Sequence, residues 1–423
     1  MKPGFYPGRI TVFSTDIPFP PNRGGRADIW RRVQALASLG VEIQLIGFFD
    51  DVDGKRPSEH DRRAVQQVVK ELHLFPIGSS LGTKLRSFSR LLQLPWHVAR
   101  RTLAAAEQGR LQQAIAAFGP ECLWAEGPWC GDLVLSAASR LGLPIIYRSH
   151  NIEHVYMARQ SAAARRPRDR LAWQIACLGL QRFERLMIDR AAWVFDISAD
   201  DLAHWQSQGV RHSSWLPPMA ESALAPALLA ATEAAPPPVH DVVFLGNLGT
   251  PNNVRGVEWL VQQIRPLVLA QRPDTRFVVA GSNPGEHVRA LCAAPNVTLQ
   301  ANVPDAVQLY RQARVLVNPV RTGSGTHVKA IEMLMMRAPI VTSLQGTCGL
   351  PAEVKQLFRV GETAEAFAAH VLQALAQPQD CWAERAQARQ LFGVDGLRQA
   401  LARMPMPAAV VGNTVPQPVT ASH

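Results

Sequence analysis

Two kinds of hydrophobic pattern alternate along the chain. Short runs rich in Val, Ile and Phe are followed by longer segments whose apolar residues recur at helical spacing. This alternation is typical of parallel β-α-β units, because a strand inside a parallel sheet is apolar on both faces whereas its connecting helix is apolar on one. The pattern predicts strands near residues 9–14, 42–48, 122–126, 144–149, 193–197, 241–246, 276–281, 313–317 and 339–343, and helices at 25–39, 103–118 and 170–192.

An Ala- and Pro-rich stretch separates the strands into two series. Residues 219–240 contain the run Ala-Ala-Pro-Pro-Pro, which cannot form a core strand and is typical of a linker. With 423 residues, the chain is also longer than one hydrophobic core usually organises. The sequence therefore predicts a first domain over 1–218, a linker over 219–240, a second domain over 241–378, helices over 379–404 that could pack back on the first domain, and a disordered tail over 405–423.

The composition excludes several classes of protein. Hydrophobic residues make up 47% of the chain and charged residues 18%, and no run approaches the roughly 20 apolar residues of a membrane helix. The N-terminal segment lacks the apolar core and cleavage site of a secretory signal, so we expect a cytoplasmic protein. The six cysteines form no C-x-x-C pair, which argues against a zinc site or a disulfide framework.

The chain carries a net charge of +10, and this charge is unevenly distributed. Residues 1–218 contribute +8 and the remainder contributes +2. A basic protein can bind nucleic acid, an anionic membrane surface or anionic substrates. No nucleic-acid-binding motif accompanies the charge, so we expect no nucleic-acid partner.

The strongest chemical signal is the sequence N-P-V-R-T-G-S-G-T-H-V-K-A-I-E-M-L at residues 318–334. A strand ends there, a Gly-Ser-Gly loop follows at 323–325, and a helix begins. Backbone N–H groups at a helix N-terminus bind anions, and Lys329 and Glu332 lie three residues apart on one helix face. The lysine could neutralise a diphosphate, and the carboxylate could accept hydrogen bonds from a vicinal diol. The alternative is an ordinary strand-to-helix turn with a surface Lys–Glu pair.

This segment resembles the donor-binding signature of the retaining glycosyltransferase family four, the glycosyl transferases group 1, in its G-x-G-T-x-x-K-x-x-E variant. Residues 244–256 resemble the opening of that family's donor domain, 273–281 its second strand, and 339–343 the segment after the signature. The resemblance covers most of the chain. It implies an α/β protein of GT-B fold, in which two Rossmann-like domains face each other across a cleft. The first domain would bind the acceptor, and the second a nucleotide-diphosphate sugar.

Three positions depart from the family's usual pattern. Ser324 stands where many members have the first of two glutamates, which leaves sugar recognition to backbone groups of the loop. Asn247 replaces the usual arginine after Gly246, and Arg255 stands where a lysine is usual. The resemblance therefore implies that Arg255 and Lys329 together neutralise the diphosphate.

Two segments of the first domain also resemble family sites. Gly24 and Gly25, between the first strand and the first helix, resemble the Gly-Gly loop that contacts diphosphate and acceptor; a Pro-stiffened helix cap is the alternative. His150 follows a strand, at the sheet edge where α/β proteins bind ligands. The resemblance implies that His150 hydrogen-bonds a donor sugar hydroxyl and the transition state, whereas a structural role is the alternative.

Two basic segments suggest contact with an anionic membrane surface. Residues 84–101 alternate basic residues with Leu, Phe and Trp, and residues 165–170 contain four arginines. Such segments bind anionic lipid, but a packed or solvated protein surface accounts for the same pattern. We therefore expect a cytoplasmic protein that could associate peripherally with the inner face of the cytoplasmic membrane.

The resemblance predicts a retaining hexosyltransferase of cell-surface or exopolysaccharide synthesis, with a glycan or lipid-linked acceptor and no cofactor or metal. A nucleotide-sugar epimerase of similar fold and a catalytically silent nucleotide-sugar-binding subunit stay open as alternatives. The predicted catalytic residues are His150, Lys329 and Arg255, and the predicted donor-binding residues are Gly24, Gly25, Gly246, Asn247, Asn302, Val303, Gly323, Ser324, Gly325, Thr326 and Glu332.

Overall fold

The computed structural model describes residues 7–21, 24–50, 56–77, 87–91, 93–164, 166–221, 237–323, 325–377 and 379–405. Its contacts divide the chain into two compact units. The first contains the described residues up to Phe195, together with Val210–Ser214 and those from Leu401 onwards. The second contains Asp196–Gly209 and Trp215–Ala400. The chain thus first changes unit before the predicted linker at 219–240, most of which lies outside the described residues.

A seven-stranded sheet forms the centre of the first unit, in the order β3-β2-β1-β4-β5-β6-β7. Strands β1 to β5 pair in parallel, and their buried Ile, Val, Leu and Phe side chains account for the apolar runs of the sequence. The strands are β1 (Arg9–Phe13), β2 (Glu42–Asp50), β3 (Glu71–Ile77), β4 (Cys122–Glu126), β5 (Ile145–Ser149), β6 (Trp193–Asp196) and β7 (Ser213–Trp215).

Helices connect the strands of the first unit, as expected for parallel pairing. They are α1 (Gly24–Ser38), α2 (Glu59–Gln66), α3 (Trp96–Ala99), α4 (Ala105–Phe118), α5 (Gly131–Leu141), α6 (Glu153–Ala163), α7 (Pro167–Cys177) and α8 (Leu180–Arg190).

A six-stranded, wholly parallel sheet forms the centre of the second unit, in the order β10-β9-β8-β11-β12-β13. Two clusters of buried apolar residues pack around it. The strands are β8 (His240–Leu245), β9 (Phe277–Gly281), β10 (Val297–Ala301), β11 (Ala313–Asn318), β12 (Ile340–Thr342) and β13 (Arg359–Val360).

The second unit contains the first of the two C-terminal helices and most of the second, whose last residues, Leu401 and Ala402, belong to the first unit. Ala388 and Phe392, in and after the first of these helices, pack in the core of the second unit. The packing of residues 379–404 against the first domain stays a prediction. The helices are α9 (Ala199–Ser207), α10 (Pro251–Trp259), α11 (Arg265–Gln271), α12 (Glu286–Leu291), α13 (Ala306–Arg311), α14 (Val328–Leu334), α15 (Ala352–Lys355), α16 (Ala364–Ala376), α17 (Ala386–Leu391) and α18 (Val394–Ala402), with a π-helix at Leu260–Ile264 between α10 and α11.

Two glycines hold the ends of β8 and β9 together. Gly281 has φ of +142°, and a Cβ atom built on it would lie 1.6 Å from the carbonyl oxygen of Gly246. No side chain fits that space, so residue 281 must be glycine for the two strand ends to approach this closely.

All nine predicted strands are present, and the differences lie elsewhere. Four edge strands, β3, β7, β10 and β13, were not predicted, because they are short or their partly exposed residues give no continuous apolar run. The predicted helix at 170–192 is two helices, since the chain turns at Gly179, whose φ is +71°. In the described part of the chain, no helix is both long and apolar enough to cross a membrane.

Candidate functional site

The second sheet changes its direction of winding between β8 and β11, which are neighbours in the sheet but distant in sequence. In open α/β sheets, ligands bind at the carboxyl ends of the strands at such a point. Gly246 and Asn247 follow β8, and the Gly-rich loop predicted as a donor site follows β11. Two of the predicted segments therefore lie at the position where the fold favours a ligand.

Lys329, on the first turn of α14, reaches this strand end. Its Nζ donates a 2.5 Å hydrogen bond to Oδ1 of Asn253 and lies 4.7 Å from the centre of the Phe244 ring. The amide of Asn253 in turn donates to the carbonyl oxygen of Asn247 at 2.8 Å. Asn253 therefore links Lys329 to the predicted donor residue Asn247.

The charge of Lys329 has no acidic partner in the described part of the chain. Burial lowers its pKa to about 7, and no described carboxylate offsets that effect. A desolvated cation held only by a neutral amide favours an incoming anion, because an anion would restore the solvation that burial removes. The geometry around Lys329 is thus that of an anion site.

Arg255 lies on α10 and contacts the loop after β11. Its Nη2 donates to Oδ1 of Asn252 at 2.7 Å and to Oγ1 of Thr322 at 3.1 Å. Neither acceptor is charged, so these contacts orient the guanidinium without neutralising it. Gly323 follows Thr322 with φ of +146°, and Ser324 lies outside the described residues.

The far side of the loop packs within the second unit. Gly325 has φ of +71°, and Oγ1 of Thr326 donates to the carbonyl oxygen of Ile197 at 3.4 Å. The hydroxyl of Thr326 also occupies the space that a Cβ on Gly349 would need, since the two would be 2.3 Å apart. Thr326 therefore anchors the loop to Ile197 and Gly349, and its contact with the donor stays a prediction.

The sequence prediction omitted His327, which precedes α14. Its Nδ1 lies 3.4 Å from Nδ2 of the fully buried Asn318, at the end of β11. Burial, followed by the charge of Lys329, lowers the pKa of His327 to about 4, so the ring is neutral near pH 7. The neutral ring supplies a polar edge beside Gly323 and adds no second positive charge to the site of Lys329.

Glu332 lies one turn further along α14. One of its carboxylate oxygens accepts a 2.7 Å hydrogen bond from the backbone N–H of Glu221. Tyr310 is buried nearby, and its pKa is raised by burial and by the charge of Glu332. Val303 packs against the same apolar cluster as Tyr310. Asn302, with φ of +51°, caps the end of β9 by donating its N–H to the carbonyl of Gly281 at 2.8 Å.

In the first unit, His150 belongs to a buried network of charges. Its Nε2 lies 2.8 Å from Oε2 of Glu126, and its Nδ1 lies 3.8 Å from Oδ2 of Asp28. Arg32 binds Glu126 through two contacts of 2.7 Å, and Arg148 binds Asp28 through two contacts of 3.0 Å. Both ring nitrogens of His150 therefore face carboxylates, which position the ring.

The arginines keep both carboxylates of this network ionised. Burial opposes ionisation of Glu126, but the charge of Arg32 and the hydrogen bond from His150 outweigh it and lower its pKa to about 2. Burial likewise opposes ionisation of Asp28, and Arg148 and Arg32 hold its pKa well below the usual range. Sequence reasoning missed Asp28, Arg32 and Glu126, because the network joins α1 to β4 and β5, which are distant along the chain.

Gly24 and Gly25 are the first two residues of α1. Both are exposed, and among the described residues no atom outside the adjacent residues and the helix backbone lies within 4 Å of the place where a Cβ would stand on either. The first backbone N–H groups of a helix have no acceptor within the helix. The predicted approach of a ligand to this turn is therefore sterically open, although the preceding residues 22 and 23 lie outside the described part of the chain.

Comparison with known proteins agrees with this architecture. Residues 239–377 match the family model described as Glycosyl transferases group 1. A 44.6 kDa protein in the cps region of Klebsiella pneumoniae is 22% identical over 390 residues, covering 86% of this chain and 90% of that protein. Sucrose-phosphate synthase from Thermosynechococcus elongatus has a TM-score of 0.59 at 17% identity, and Anabaena HepE in complex with UDP one of 0.59 at 15%. Each alignment covers 93% of this chain and 98% of the chain in the solved structure. The predicted GT-B fold is confirmed.

Proposed function

We propose that this chain, which carries a group 1 glycosyltransferase domain at residues 239–377 in a GT-B fold, transfers a sugar from a nucleotide-diphosphate donor to a glycan or lipid-linked acceptor. The observation that carries the proposal is Lys329, a desolvated cation with only an amide partner at the strand ends where the fold favours a ligand. The UDP bound to HepE and the cps-region relative support a nucleotide-sugar donor and a role in polysaccharide synthesis.

In the proposed reaction, the second unit binds the donor and stabilises the leaving diphosphate. Negative charge grows on the diphosphate as the glycosidic bond breaks, so Lys329, Arg255 and the N–H groups of the loop at 323–326 stabilise the transition state more than the ground state. Glu332 binds the ribose hydroxyls, beside Asn302 and Val303. We propose retention of configuration and a hexose donor, both implied by the family resemblance.

The first unit binds the acceptor in this proposal. His150 increases the rate of sugar transfer through its hydrogen bond to the transition state and does not contribute to nucleotide affinity. Glu126 and Asp28 hold its ring in place. Gly24 and Gly25 offer N–H groups to an anionic part of the substrates. No metal ion takes part, because Lys329 and Arg255 supply the positive charge.

Incubation of the full chain with labelled UDP- or GDP-sugars and lipid-linked glycans tests this function. Transfer of label to the glycan supports the transferase, isomerisation of the donor selects the epimerase, and binding without turnover selects the silent subunit. Parallel reactions with EDTA test whether transfer needs a metal ion. Loss of transfer that Mg²⁺ or Mn²⁺ restores would contradict the proposal that Lys329 and Arg255 alone neutralise the diphosphate.

Glu332→Ala is expected to weaken UDP binding by about 1 to 3 kcal/mol, because the ribose hydroxyls lose their acceptor. Isothermal titration calorimetry measures the change. Glu353→Ala, which removes an exposed carboxylate on α15 of the same unit, serves as the matched control. UDP affinity equal to that of the unchanged protein would remove Glu332 from the site.

We also propose that the first unit associates with an anionic membrane through α7. Leu171, Ile175 and Leu178 are 56%, 46% and 68% exposed, and their spacing places them on one face. Arg166, Arg168 and Arg170, also exposed, lie beside them. An apolar stripe flanked by arginines is typical of helices that lie in the interface of an anionic bilayer.

The other predicted basic segment supports this association less well. Arg90 forms an ion pair with Asp132 at 3.0 Å, and Arg100 lies 3.8 Å from Asp50, so both charges are directed at the protein. Lys84 and Arg86 lie outside the described residues, as does Arg165 of the other segment. Phe88 is exposed and could add apolar contact.

Replacement of Leu171 and Ile175 by glutamine is expected to reduce binding to phosphatidylglycerol vesicles by at least about tenfold, since each residue contributes on the order of 1.5 kcal/mol when buried. Co-sedimentation measures binding. High salt should weaken it only in part, because salt screens the arginines and not the apolar contact. Leu186→Gln, an exposed leucine of α8, is the control. Absence of binding at low salt and high anionic content would contradict the association.

A further inference from the structure

A pocket of about 400 Å³ opens in the first unit at the carboxyl ends of β1, β2 and β3. Its walls come from the loop after β1, the end of β2 and the start of α1, and Arg101 lines it between α3 and α4. The volume is suited to a ligand of one or two sugar rings. Phe19 and Phe49, both half-buried, give it an aromatic surface, against which the apolar face of a sugar ring can pack.

Most charges around the pocket are already paired. Arg26 binds Asp16 through its Nε, at 2.8 Å, and its Nη2, and Asp16 also accepts the N–H of Ile17 at 2.8 Å. Asp50 has Arg100 at 3.8 Å. Asp61 accepts the backbone N–H of Ser58 at 3.0 Å in the cap of α2. These carboxylates therefore have partners of their own.

Arg101 differs from Arg26, since its hydrogen-bond acceptors are neutral. Its Nη1 donates to the carbonyl oxygen of His97 at 2.7 Å and its Nη2 to that of Thr15 at 3.5 Å, and both acceptors are neutral. Its buried Nε has no hydrogen-bond partner among the described residues. Asp16 and Asp50 act on its charge from a distance, but no described carboxylate forms an ion pair with it.

The surroundings of Arg101 disfavour its charge. Burial is the largest cause and lowers the pKa of Arg101; the like charge of Arg100 also lowers it, whereas Cys130, Asp16 and Asp50 act in the opposite direction. An arginine stays protonated under all ordinary conditions, so the unfavourable desolvation cannot be relieved by loss of the proton. It can be relieved by an anion, and a guanidinium offers a carboxylate or phosphate a matching pair of N–H donors.

We propose that this pocket binds the acceptor sugar and that Arg101 recognises a carboxylate or phosphate group that the acceptor carries. The identification of the bound sugar as the acceptor rests on the proposed transfer reaction. The aromatic walls bind the sugar ring, and Arg101 selects for the anionic substituent. Arg101 is thus a specificity residue, separate from the nucleotide site around Lys329.

Ligand-observed NMR titration of the full chain tests the proposal with three probes: methyl β-D-glucuronide, α-D-glucose 1-phosphate and the neutral methyl β-D-glucoside. We expect at least one anionic probe to bind about tenfold tighter than the neutral one. Which anionic probe binds tighter distinguishes a uronic acid from a sugar phosphate. Equal binding of all three probes, or binding of none at millimolar concentration, would overturn the proposal.

Arg101→Gln is expected to abolish the preference for the anionic probe, and Arg140→Gln, which removes an exposed arginine of α5, to leave it unchanged. If Arg101→Gln does not fold, Arg101→Lys replaces it, with a preference reduced about threefold because the paired donors are lost. A preference that survives in the folded variant would refute the role of Arg101. UDP affinity of the unchanged protein, measured in parallel, tests the donor site separately. A protein that does not bind UDP but still prefers the anionic probe would contradict the proposed transfer reaction and support the proposed role of the pocket.

Discussion

Lys329→Ala is expected to lower kcat/KM for sugar transfer by about two to three orders of magnitude. Its ammonium reaches the end of β8 beside Gly246, in a desolvated position where an electrostatic contact has a large effect. Radiolabelled transfer assays at several donor concentrations measure the change. Lys70→Ala, which removes an exposed lysine of the first unit, should leave the rate unchanged.

The pH dependence of donor binding separates the charge of Lys329 from its packing. The free protein holds Lys329 protonated below its pKa of about 7, so affinity for UDP-glucose should be constant there and fall above it by up to about tenfold per pH unit. Asn253→Asp places a carboxylate against the ammonium, which raises the lysine pKa, moves the decline to higher pH and weakens binding at pH 6. An affinity independent of pH between 6 and 9 would contradict the assigned role.

Glu126→Gln is expected to destabilise the first unit by about 3 to 5 kcal/mol. The substitution leaves Arg32 buried with only Asp28, and removal of one partner from a buried charge network leaves a charge that neither water nor protein compensates. Urea unfolding followed by circular dichroism measures the shift in the transition of that unit. Binding of UDP to the second unit provides a check that the rest of the chain is folded.

Glu59→Gln supplies the matched control for this effect. It breaks an ion pair with Arg63 on the exposed face of α2, where such a pair contributes only about 0.3 to 0.5 kcal/mol. Equal destabilisation by the two variants would show that burial of the network around Glu126 does not determine its contribution.

The central strands and the family resemblance could be predicted from the sequence because both are local. A buried parallel strand appears in the sequence as a continuous apolar run. The motif that carries the family resemblance lies within residues 318–334, which contain the whole loop and the start of the helix. Edge strands such as β3 escaped because Glu71, His73 and Pro76 interrupt the run. The division of the predicted helix at 170–192 into two helices at Gly179 was not predicted for a different reason, because the helical spacing of apolar residues continues across a single glycine.

The partners of the predicted site residues could not be read from the sequence. Asn253 is 76 positions from Lys329, and Glu126 is 24 positions from His150, so only the folded sheet brings each pair together. His327 lies inside the motif at residues 318–334, but its ring is neutral because it is buried, and the spacing of residues along the sequence does not reveal burial. The roles of Lys329, Arg255, Glu332 and His150 stay predictions until they are measured.

The lowered pKa of Lys329 also means that the charge proposed to serve activity decreases the stability of the folded state. A lysine whose folded pKa lies below its unfolded value of 10.5 makes the folded state less favourable at lower pH, fully so below about pH 7. A neutral side chain at this position would remove that penalty, so the variant that loses activity should leave the empty second unit more resistant to unfolding near neutral pH. Selection for folding alone would not place a lysine there.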